Sequence, residues 1–401
     1  MENQAQAVKS TSARAGFIEA IMFFTYAFFA VSWIAGSSLT PQIMEYFKLE
    51  SFASATFISN AITIAKIIGN FMAAAILAQL YPKRAILLGS GLIVVGSLIA
   101  IFSQQYWMFI LGRFIMGFGG ALYVVYFSPV VLHYFKKEQL VTVNALNSVA
   151  YNVGGIMAML MVGPVVSWLK TWQYSMGFFA IISAILFVLW PFVGQNFELN
   201  KSSGVQQEKY TIGEALKDKF NWVFPFTYSG LLTFYIVLLN IFPISGTTVI
   251  ASKTLSMLVA IGGVVGTILA IMMGKKYTKR LPVIRWCGLA MTLFGVLMFF
   301  TTSPALAVVA AVAIGIFMFL PVTSLVLIPQ ELPNMTPAKL TTIMGLFWAI
   351  SYIIESVVYY IIGIVIDSSG YTTGLMIALV MSATFFIGSF LLPETGKESD
   401  K

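Results

Sequence analysis

The sequence predicts an all-α membrane protein with twelve transmembrane helices in two pseudo-symmetric halves of six helices each. Composition is the first observation behind this fold class. Of the 401 residues, 59% are hydrophobic and 9% are charged, whereas about 25% of residues are charged in soluble domains. The second observation is a series of long apolar runs, most of which reach the roughly 20 residues that a helix needs to cross a bilayer. The third is a pair of similar short sequences at corresponding joints of the halves, which indicates an internal repeat.

The apolar runs predict twelve spanning helices that are joined mostly by short connections. One connection differs because it is long, polar and of mixed charge, and it lies between the sixth and the seventh helix. The predicted helices comprise residues 16–37, 52–80, 85–103, 106–134, 141–169, 173–195, 222–244, 251–274, 284–302, 304–328, 338–366 and 372–392.

The long polar connection divides the chain into two halves, and its composition suits a plain tether. The predicted domains are a cytoplasmic tail (1–15), a six-helix half (16–195), a cytoplasmic linker (196–221), a second six-helix half (222–392) and a second cytoplasmic tail (393–401). The first tail leads into an apolar run without an A-x-A-type cleavage site, so no cleavable signal peptide is expected.

The lysines and arginines predict the orientation in the membrane. With the N-terminus in the cytoplasm, 18 of the 23 cationic residues fall in cytoplasmic segments, and two, Lys66 and Arg113, lie inside helices. Cytoplasmic loops carry an excess of these residues, so both chain ends are expected in the cytoplasm. This distribution explains the net charge of +8 without a nucleic-acid partner. The low charge and the abundant phenylalanine favour a bacterial inner membrane.

Two short sequences recur at equivalent joints of the halves. Residues 81–84, after the second helix, read Tyr-Pro-Lys-Arg, and residues 277–280, after the eighth helix, read Tyr-Thr-Lys-Arg. Gly117 of the fourth helix has a counterpart in Gly315 of the tenth. Duplicated halves with a substrate site between them near the membrane midplane are a recurrent design of transporters.

Two motifs resemble the major facilitator superfamily, and the resemblance extends over essentially the whole chain. Residues 75–84 are similar to the family's G-x-x-x-D-R-x-G-R-R loop between helices two and three. The basic pair Lys83 and Arg84 is present, while Gln79 stands in the acidic position. Residues 113–121, R-F-I-M-G-F-G-G-A, resemble the family's R-x-x-x-G-x-G motif on helix four.

The resemblance implies a twelve-helix transporter that works by alternating rocking of its halves. In the family, the arginine of helix four is implicated in substrate binding or proton coupling. The corresponding residue here is Arg113. Residues 329–333 and 152–155 are further similar to the anion-transporting branches, such as the cyanate- and nitrate-like ones. The residues expected to act in conformational gating are Gln79, Lys83, Arg84, Lys279 and Arg280.

The second helix carries a polar stripe. Asn60, Thr63, Lys66 and Asn70 are spaced by 3, 3 and 4 residues, so they lie on one helical face. Lys66 lies near the membrane midplane, where an ammonium group must face a cavity or a counter-charge. We therefore predict that Lys66 and Asn60 bind substrate. A buried structural ion pair is the alternative for Lys66.

The eleventh helix carries an acid at a similar depth. Trp348, Tyr352, Glu355 and Tyr359 are spaced by 4, 3 and 4 residues on one face. Because desolvation penalises a charged carboxylate at this depth, Glu355 is the leading candidate for proton coupling. Tyr352 is a candidate substrate contact. The alternative for Glu355 is a permanent ion pair with Lys66 across the two halves.

Three further residues are candidate substrate contacts. Arg113 lies about 12 Å from the outer end of its helix by the helical rise, and a guanidinium binds a carboxylate or small oxyanion through two N–H groups. A structural tie to neighbouring helices is the alternative. Asn147 and Tyr151 share one face of helix five, although asparagine bonds equally well between helices.

Glu19 lies one turn inside the first helix. Two roles remain open for it. It is either an end charge that contacts the basic loops or a second proton-coupling residue.

The protein is not expected to be an enzyme or to hold a cofactor or metal ion. One histidine and one cysteine leave almost nothing from which to build a metal or haem site. No G-x-x-x-x-G-K-[ST] sequence occurs, since Gly274 and Lys275 are followed by Lys276, and no soluble segment is long enough for a nucleotide-binding domain. An ion gradient is therefore the expected energy source.

The leading hypothesis is a proton-coupled secondary transporter of a small anionic or zwitterionic metabolite. Two central cations against one central acid favour an anion. A proton-antiporting efflux pump for drugs or other amphipathic compounds is the alternative, with the aromatic stripe of helix eleven lining its pocket. Intramembrane charges argue against a non-transporting receptor. The expected partners are a small-molecule substrate, protons and the lipid bilayer, and the chain is expected to be a monomer.

Overall fold

The computed structural model of the protein describes residues 12–135, 137–196, 211–274, 279–335 and 337–396. Within these ranges every regular element is a helix. The helices in chain order are α1 (Ser12–Ser38), α2 (Thr40–Phe47), α3 (Phe52–Ala55), α4 (Phe57–Ile101), α5 (Tyr106–Tyr134), α6 (Lys137–Leu169), α7 (Trp172–Val193), α8 (Ile212–Ala215), α9 (Phe220–Asn240), a 3₁₀ turn (Phe242–Ile244), α10 (Ser252–Gly274), α11 (Leu281–Phe300), α12 (Pro304–Phe319), α13 (Val322–Gln330) and α14 (Pro337–Gly388).

Two of these elements each contain two membrane crossings. Helix α4 has 45 residues and α14 has 52, which at about 1.5 Å per residue is more than twice the roughly 30 Å of a bilayer core. The chain turns inside α4 at Tyr81, where φ is 60°, and inside α14 at Gly370, where φ is 80°. Glycine adopts positive φ without a steric penalty, which suits residue 370 to a tight reversal.

The predicted number of crossings is confirmed. In the described chain, ten helical segments are long and apolar enough to cross a membrane. The shorter apolar helix Phe57–Ala73 adds one crossing, and the turn at Gly370 divides the segment Thr342–Gly388 into two. An all-helical bundle of twelve crossings follows. The predicted linker and tails fall largely on residues 197–210, 1–11 and 397–401, which lie outside the described residues.

Three local features differ from the sequence prediction. Helix ten is divided into α12 and α13, because Pro321 has no N–H to donate and its ring disfavours a continuous helix. Helix two begins at Phe57, since the short α3 precedes it as a separate element. The connection after α1 contains the helix α2, which begins with a proline at its first turn, a position where the missing N–H has no cost.

Helices from the two groups of six meet along the centre of the bundle. Helix α6 contacts α10, α4 contacts α14, and α1 contacts α9. Close packing inside the second group depends on glycine: a Cβ placed on Gly262 would lie 2.2 Å from the backbone oxygen of Val312. We call the end of the bundle that carries the turn at Tyr81 the basic end, and the end at Gly370 the opposite end.

Candidate functional site

A central cavity of about 340 Å³ lies between the two groups of helices. Its volume is in the range of small-molecule sites. Its described lining combines one lysine with five tyrosines, two tryptophans and three small hydroxyl residues. The lining residues are Tyr26, Trp33, Lys66, Ser148, Tyr151, Tyr228, Leu231, Leu232, Tyr235, Ile236, Thr267, Phe319, Val322, Thr323, Trp348 and Tyr352.

Lys66 is held between two aromatic rings. Its Nζ lies 5.1 Å from the ring centroid of Trp33 on α1 and 4.8 Å from that of Tyr352 on α14. The indole N–H of Trp33 donates to Ser59 Oγ at 2.8 Å, and Tyr352 stacks on Trp348. Cation–π contacts of this kind stabilise a partly desolvated ammonium group. They supply no negative partner, and in the described structure no carboxylate forms an ion pair with the ammonium group within 4 Å.

Glu355 lies behind the cavity wall, fully buried. Ser356 Oγ lies 3.4 Å from its Oε2, and its Oε1 has no hydrogen-bond partner in the described structure. Lys66 is within electrostatic range of this carboxyl group, but these two described side chains form no ion pair within 4 Å. The alternative of a permanent Lys66–Glu355 ion pair is therefore not seen in this conformation.

A hydrogen-bond network joins α4 to α14 beside these two residues. Asn60 Nδ2 donates to the backbone oxygen of Ser356 at 3.1 Å, and Ser356 Oγ donates to Thr63 Oγ1 at 3.0 Å. The polar stripe predicted on helix two is thus divided between the cavity, which Lys66 lines, and the helix interface, which Asn60 occupies. A direct contact of Asn60 with substrate stays a prediction.

Tyr151 lines the cavity, and its buried hydroxyl has no partner among the described residues. Next to it, the hydroxyl of Tyr235 donates to Asn152 Oδ1, which links α9 to α6. Sequence reasoning did not single out Tyr235 or the other cavity aromatics Tyr26, Trp33 and Tyr228. Aromatic residues in an apolar helix give no signal that separates a cavity wall from a lipid-facing surface.

Arg113 is fully buried and does not line the described cavity. Its Nε donates to the backbone oxygen of Ile58, its Nη1 to that of Ser32 and its Nη2 to that of Trp33, each at 2.8 Å. A Cβ on Gly36 would lie 2.7 Å from Nη1, so glycine makes room for the guanidinium. This geometry supports the structural alternative, in which Arg113 ties α1 to α4.

Glu19 and Asn147 lie in the interior of the first group of helices. Glu19 is 5% exposed, and Asn147 is 8% exposed. Their side chains are close enough to interact, yet within the described part of the chain neither forms a hydrogen bond. Glu19 makes no ion pair with the described basic residues, so an end charge paired with the loops is not seen here.

The gating residues of the second half form a connected group at the basic end. Arg280 Nη2 lies 2.8 Å from Glu331 Oε1, and Thr395 Oγ1 donates to Glu331 Oε2 at 2.9 Å. The carboxylate of Glu394 accepts the backbone N–H groups of Arg280 and Leu281 at 2.8 and 3.0 Å. The hydrogen bond from Arg280 lowers the pKa of the Glu331 carboxyl. Lys279 is exposed immediately before this group.

Among the gating residues of the first half, Lys83 contacts Trp190 of the same half and Asn196 at the start of the predicted linker. The backbone N–H of Lys83 donates to Asn196 Oδ1 at 3.2 Å, and its backbone oxygen accepts from Trp190 Nε1 at 2.9 Å. Gln79 and Arg84 are exposed. A contact from Gln79, Lys83 or Arg84 to the second half stays a prediction.

Asp367 forms a contact between the halves at the opposite end. Its carboxylate accepts the backbone N–H groups of Phe52 and Ala53 at 2.6 and 2.9 Å and the hydroxyl of Ser51 at 2.7 Å. It therefore holds the start of α3 against α14. Sequence reasoning missed this residue, because an acid near a helix end is ordinary and its partners are 314 to 316 positions away along the chain.

The twelve-crossing bundle and its central cavity define a membrane transport protein. A family model described as Major Facilitator Superfamily matches residues 21–358. The chain therefore belongs to the Major Facilitator Superfamily, whose members are transporters.

Two proteins with a similar sequence, both described as uncharacterized, match about half of the chain. The chain is 30% identical to an uncharacterized protein of Campylobacter jejuni over 219 residues. These aligned residues are 55% of this chain and 65% of the relative. It is 23% identical to an uncharacterized protein of Mesomycoplasma hyopneumoniae over 243 residues. These aligned residues are 52% of this chain and 50% of the relative. The matches span between half and two thirds of the length of these relatives.

Solved structures of transporters have the same fold. The inward-open xylose transporter XylE of E. coli superposes with a TM-score of 0.75 at 16% identity, over 96% of this chain and 98% of the other. The D-xylose–proton symporter gives a TM-score of 0.73 at 15% identity, over 94% of this chain and 98% of the symporter. An outward-facing Major Facilitator Superfamily transporter, FucP, gives a TM-score of 0.63 at 16% identity, over 94% of this chain and 99% of FucP. These similarities establish the fold.

Proposed function

We propose that the protein is a secondary active transporter that moves a small anionic or zwitterionic metabolite by proton-coupled alternating access. One observation carries this proposal: the described lining of the central cavity contains a single charged side chain, Lys66. Its ammonium group attracts a negative group into a site with aromatic walls. Cation–π contacts hold the ammonium group in the present conformation. A bound anion would therefore replace only the electrostatic interaction of Lys66 with Glu355, and not a direct ion pair.

The hydroxyl of Tyr151 is the second proposed contact. It is buried, it lines the cavity, and it lacks a partner in the described residues. A buried hydroxyl without a hydrogen-bond partner is unfavourable. An anionic oxygen of the substrate would accept a hydrogen bond from it. Tyr352, which lines the cavity, would contact the substrate and hold Lys66 in place from the side. Asn60 and Asn147, which the sequence predicts as substrate contacts, do not line the described cavity in this conformation. A direct role for Arg113 would require its three hydrogen bonds to break.

Glu355 is the proposed proton carrier. A buried carboxyl group with one unpartnered oxygen is more stable when neutral, unless a cation compensates its charge. Lys66 is a cation that interacts electrostatically with it. In the proposed cycle, Lys66 compensates the Glu355 carboxylate when substrate is absent. Binding of an anion to Lys66 removes that compensation, so Glu355 takes up a proton, and anion and proton cross together. Glu19, which is buried and has no hydrogen-bond partner among the described residues, is a second candidate for proton coupling.

Alternating access requires that the two ends of the bundle open in turn. We propose that the Asp367 contact closes the opposite end in the present conformation, and that the Arg280–Glu331 group belongs to the gate at the basic end. The two halves, 16–195 and 222–392, would be the bodies that rock. We further propose that the protein lies in a bacterial inner membrane with its basic end facing the cytoplasm. We also propose that it acts as a monomer.

A second candidate function is proton-antiporting efflux of amphipathic compounds. The observation in its favour is the aromatic lining, in which five tyrosines and two tryptophans surround the cavity. Aromatic faces bind cations and apolar rings without strict geometry. The single lysine argues against a cationic substrate.

The test is a transport assay with purified protein in liposomes that contain a pH-sensitive dye. Small carboxylates, amino acids, inorganic oxyanions and neutral sugars such as D-xylose would be added one class at a time. Inward proton flux triggered by one anion class, and lost in Glu355→Gln, is the expected result. Proton movement triggered by lipophilic cations, with silence toward every anion, would replace the proposal with efflux. A response to neutral sugars alone would contradict the role of Lys66.

A further inference from the structure

A second concave surface lies on the outside of the bundle, between α4 on one side and α9 and α14 on the other. We call it the lateral groove. Its volume is about 680 Å³, and every described side chain along it is apolar or aromatic. The indole N–H of Trp222 is already bonded to the backbone oxygen of Leu216 at 2.9 Å. The groove residues are Ile67, Phe71, Leu216, Trp222, Val223, Phe226, Leu346, Ala349, Ile350, Ile353, Ile354 and Leu391.

The walls of the lateral groove are the backs of helices that line the central cavity. Successive residues of an α-helix are about 100° apart. Tyr352 lines the cavity and Ile350 the groove, about 200° away around α14. Lys66 lines the cavity and Phe71 the groove, about 140° away around α4. Helix α9 is divided in the same way. Whatever fills the groove therefore contacts the segments that carry Lys66 and Tyr352.

Hydrocarbon is the occupant that fits this surface. Phe71, Trp222 and Ile353 are 46%, 51% and 49% exposed in a chain that crosses the membrane. Water in a concave site without polar groups would be unfavourable. No hydrogen-bonding group along the described groove is free to recognise a polar ligand. A flexible acyl chain fills a narrow concave surface that lipids packed against a smooth helix face would leave empty.

The mouth of the groove at the basic end offers positive charge. Lys217 follows the groove residue Leu216 directly, and Lys219 precedes α9; both are exposed. Two acids, Glu214 and Asp218, lie beside these lysines, and each accepts a backbone N–H group, at 2.8 and 2.9 Å. Among the described residues neither acid forms an ion pair within 4 Å with Lys217 or Lys219, so both ammonium groups are accessible to a phosphate. Lysines at a membrane surface attract anionic lipid headgroups by about 1 kcal/mol each. Trp222 at this level is typical of a residue at the membrane interface.

We propose that the lateral groove binds one acyl chain of an anionic phospholipid from the leaflet at the basic end, with the phosphate at Lys217 and Lys219. The acyl chain contacts both halves at once, because α4 belongs to the first half and α9 and α14 to the second. Rocking of the halves changes the width of the groove. A lipid that fits the present width stabilises the present conformation, so lipid composition biases the transport cycle.

The first test counts lipids on the full chain by native mass spectrometry after purification from vesicles of phosphatidylglycerol and phosphatidylcholine. One tightly retained phosphatidylglycerol per chain is expected. Ile353→Trp, which fills the groove, should reduce that retention at least tenfold. Val357→Trp is the matched control, because Val357 is 55% exposed on the same helix and does not line the groove. Lys217→Gln with Lys219→Gln should remove the preference for phosphatidylglycerol.

The contrary result is a graded distribution of lipids bound per chain that is the same in the wild type and in Ile353→Trp. It would mean that only annular lipid is bound, and it would overturn the proposal. Fluorescence gives a second test, which leaves Ile353 unchanged. Phosphatidylglycerol with brominated acyl chains, at a low mole fraction, should quench Trp222 more than Trp286, which is exposed on α11. The variants Trp222→Phe and Trp286→Phe isolate the two signals. Equal quenching of both tryptophans would contradict a bound chain.

Discussion

The ammonium group of Lys66 lies 4.8 Å from the ring centroid of Tyr352, and this contact joins the two halves of the protein across the central cavity. Lys66 comes from α4 and Tyr352 from α14, and both line the cavity. The ring stabilises the charge without supplying a negative partner. In the mechanism proposed above, substrate binding and proton coupling therefore depend on the same pair of side chains that joins the halves.

Tyr352 should act through its ring rather than through its hydroxyl. Tyr352→Phe keeps the cation–π contact and should leave the apparent KM for the transported anion within about twofold. Tyr352→Leu removes the contact and frees Lys66 to move toward Glu355, so the apparent KM should rise about threefold to thirtyfold. Concentration-dependent uptake in liposomes measures both. Equal effects of the two substitutions would show that the hydroxyl matters instead.

Arg113 should stabilise the fold more than it contributes to substrate binding. Arg113→Gln leaves three buried carbonyl groups without their charged donor and should lower the free energy of unfolding by about 3 kcal/mol. Gly36→Ala should have a similar but smaller effect, because the added Cβ would lie 2.7 Å from Nη1. Thermal unfolding in detergent gives the comparison. Gly177→Ala is the control, since its Cβ meets no atom within 4 Å.

The outcome that contradicts this account of Arg113 is specific. A variant that keeps normal stability but raises the KM for the anion more than tenfold would make Arg113 a substrate contact.

The Asp367 contact should hold the opposite end closed. Asp367→Ala leaves two backbone N–H groups and one hydroxyl without their acceptor, and should increase the fraction of molecules open at that end about threefold to tenfold. Spin labels on Glu50→Cys and Ser369→Cys, in a Cys287→Ser background, report the distance across this end. A longer distance is expected in the variant. An unchanged distribution would remove Asp367 from the gate.

The pair of Arg280 and Glu331 should give a pH-dependent contribution to stability. Its hydrogen bond lowers the pKa of the Glu331 carboxyl in the folded protein. The contribution is therefore complete above the unfolded value, which is about 4.3, and is lost as pH falls through the lower folded value. Because the pair is partly exposed, it should be worth at most about 1 kcal/mol.

The measurement is the melting temperature of the wild type and of Glu331→Gln between pH 7 and pH 3. The variant should melt at a lower temperature at pH 7, and the difference should narrow as pH falls below 4. Gln42→Asn on α2, which changes an exposed residue without a titratable group, is the control. A difference that widens at low pH would contradict the sign of the pKa shift.

Hydropathy and spacing were enough to predict the crossings and the central polar residues. The stripe with Lys66 and the stripe with Tyr352 and Glu355 both follow from helical periodicity, which fixes a face before the partner helix is known. Arg113 shows where this reasoning ends. Its donors meet backbone carbonyls of α1 and α4, and which carbonyls are available depends on how the helices pack. The aromatic cavity wall and the Asp367 contact likewise depend on tertiary proximity that no local pattern encodes.

The central claim is that Lys66 binds a transported anion. Uptake of the active anion by liposomes would be measured for the wild type, Lys66→Ala and the control Lys170→Ala, which removes a lysine at the opposite end outside the cavity. Loss of uptake in Lys66→Ala alone, with a folded, monodisperse protein, is the expected result. Anion uptake that survives in Lys66→Ala at the wild-type KM would contradict the account.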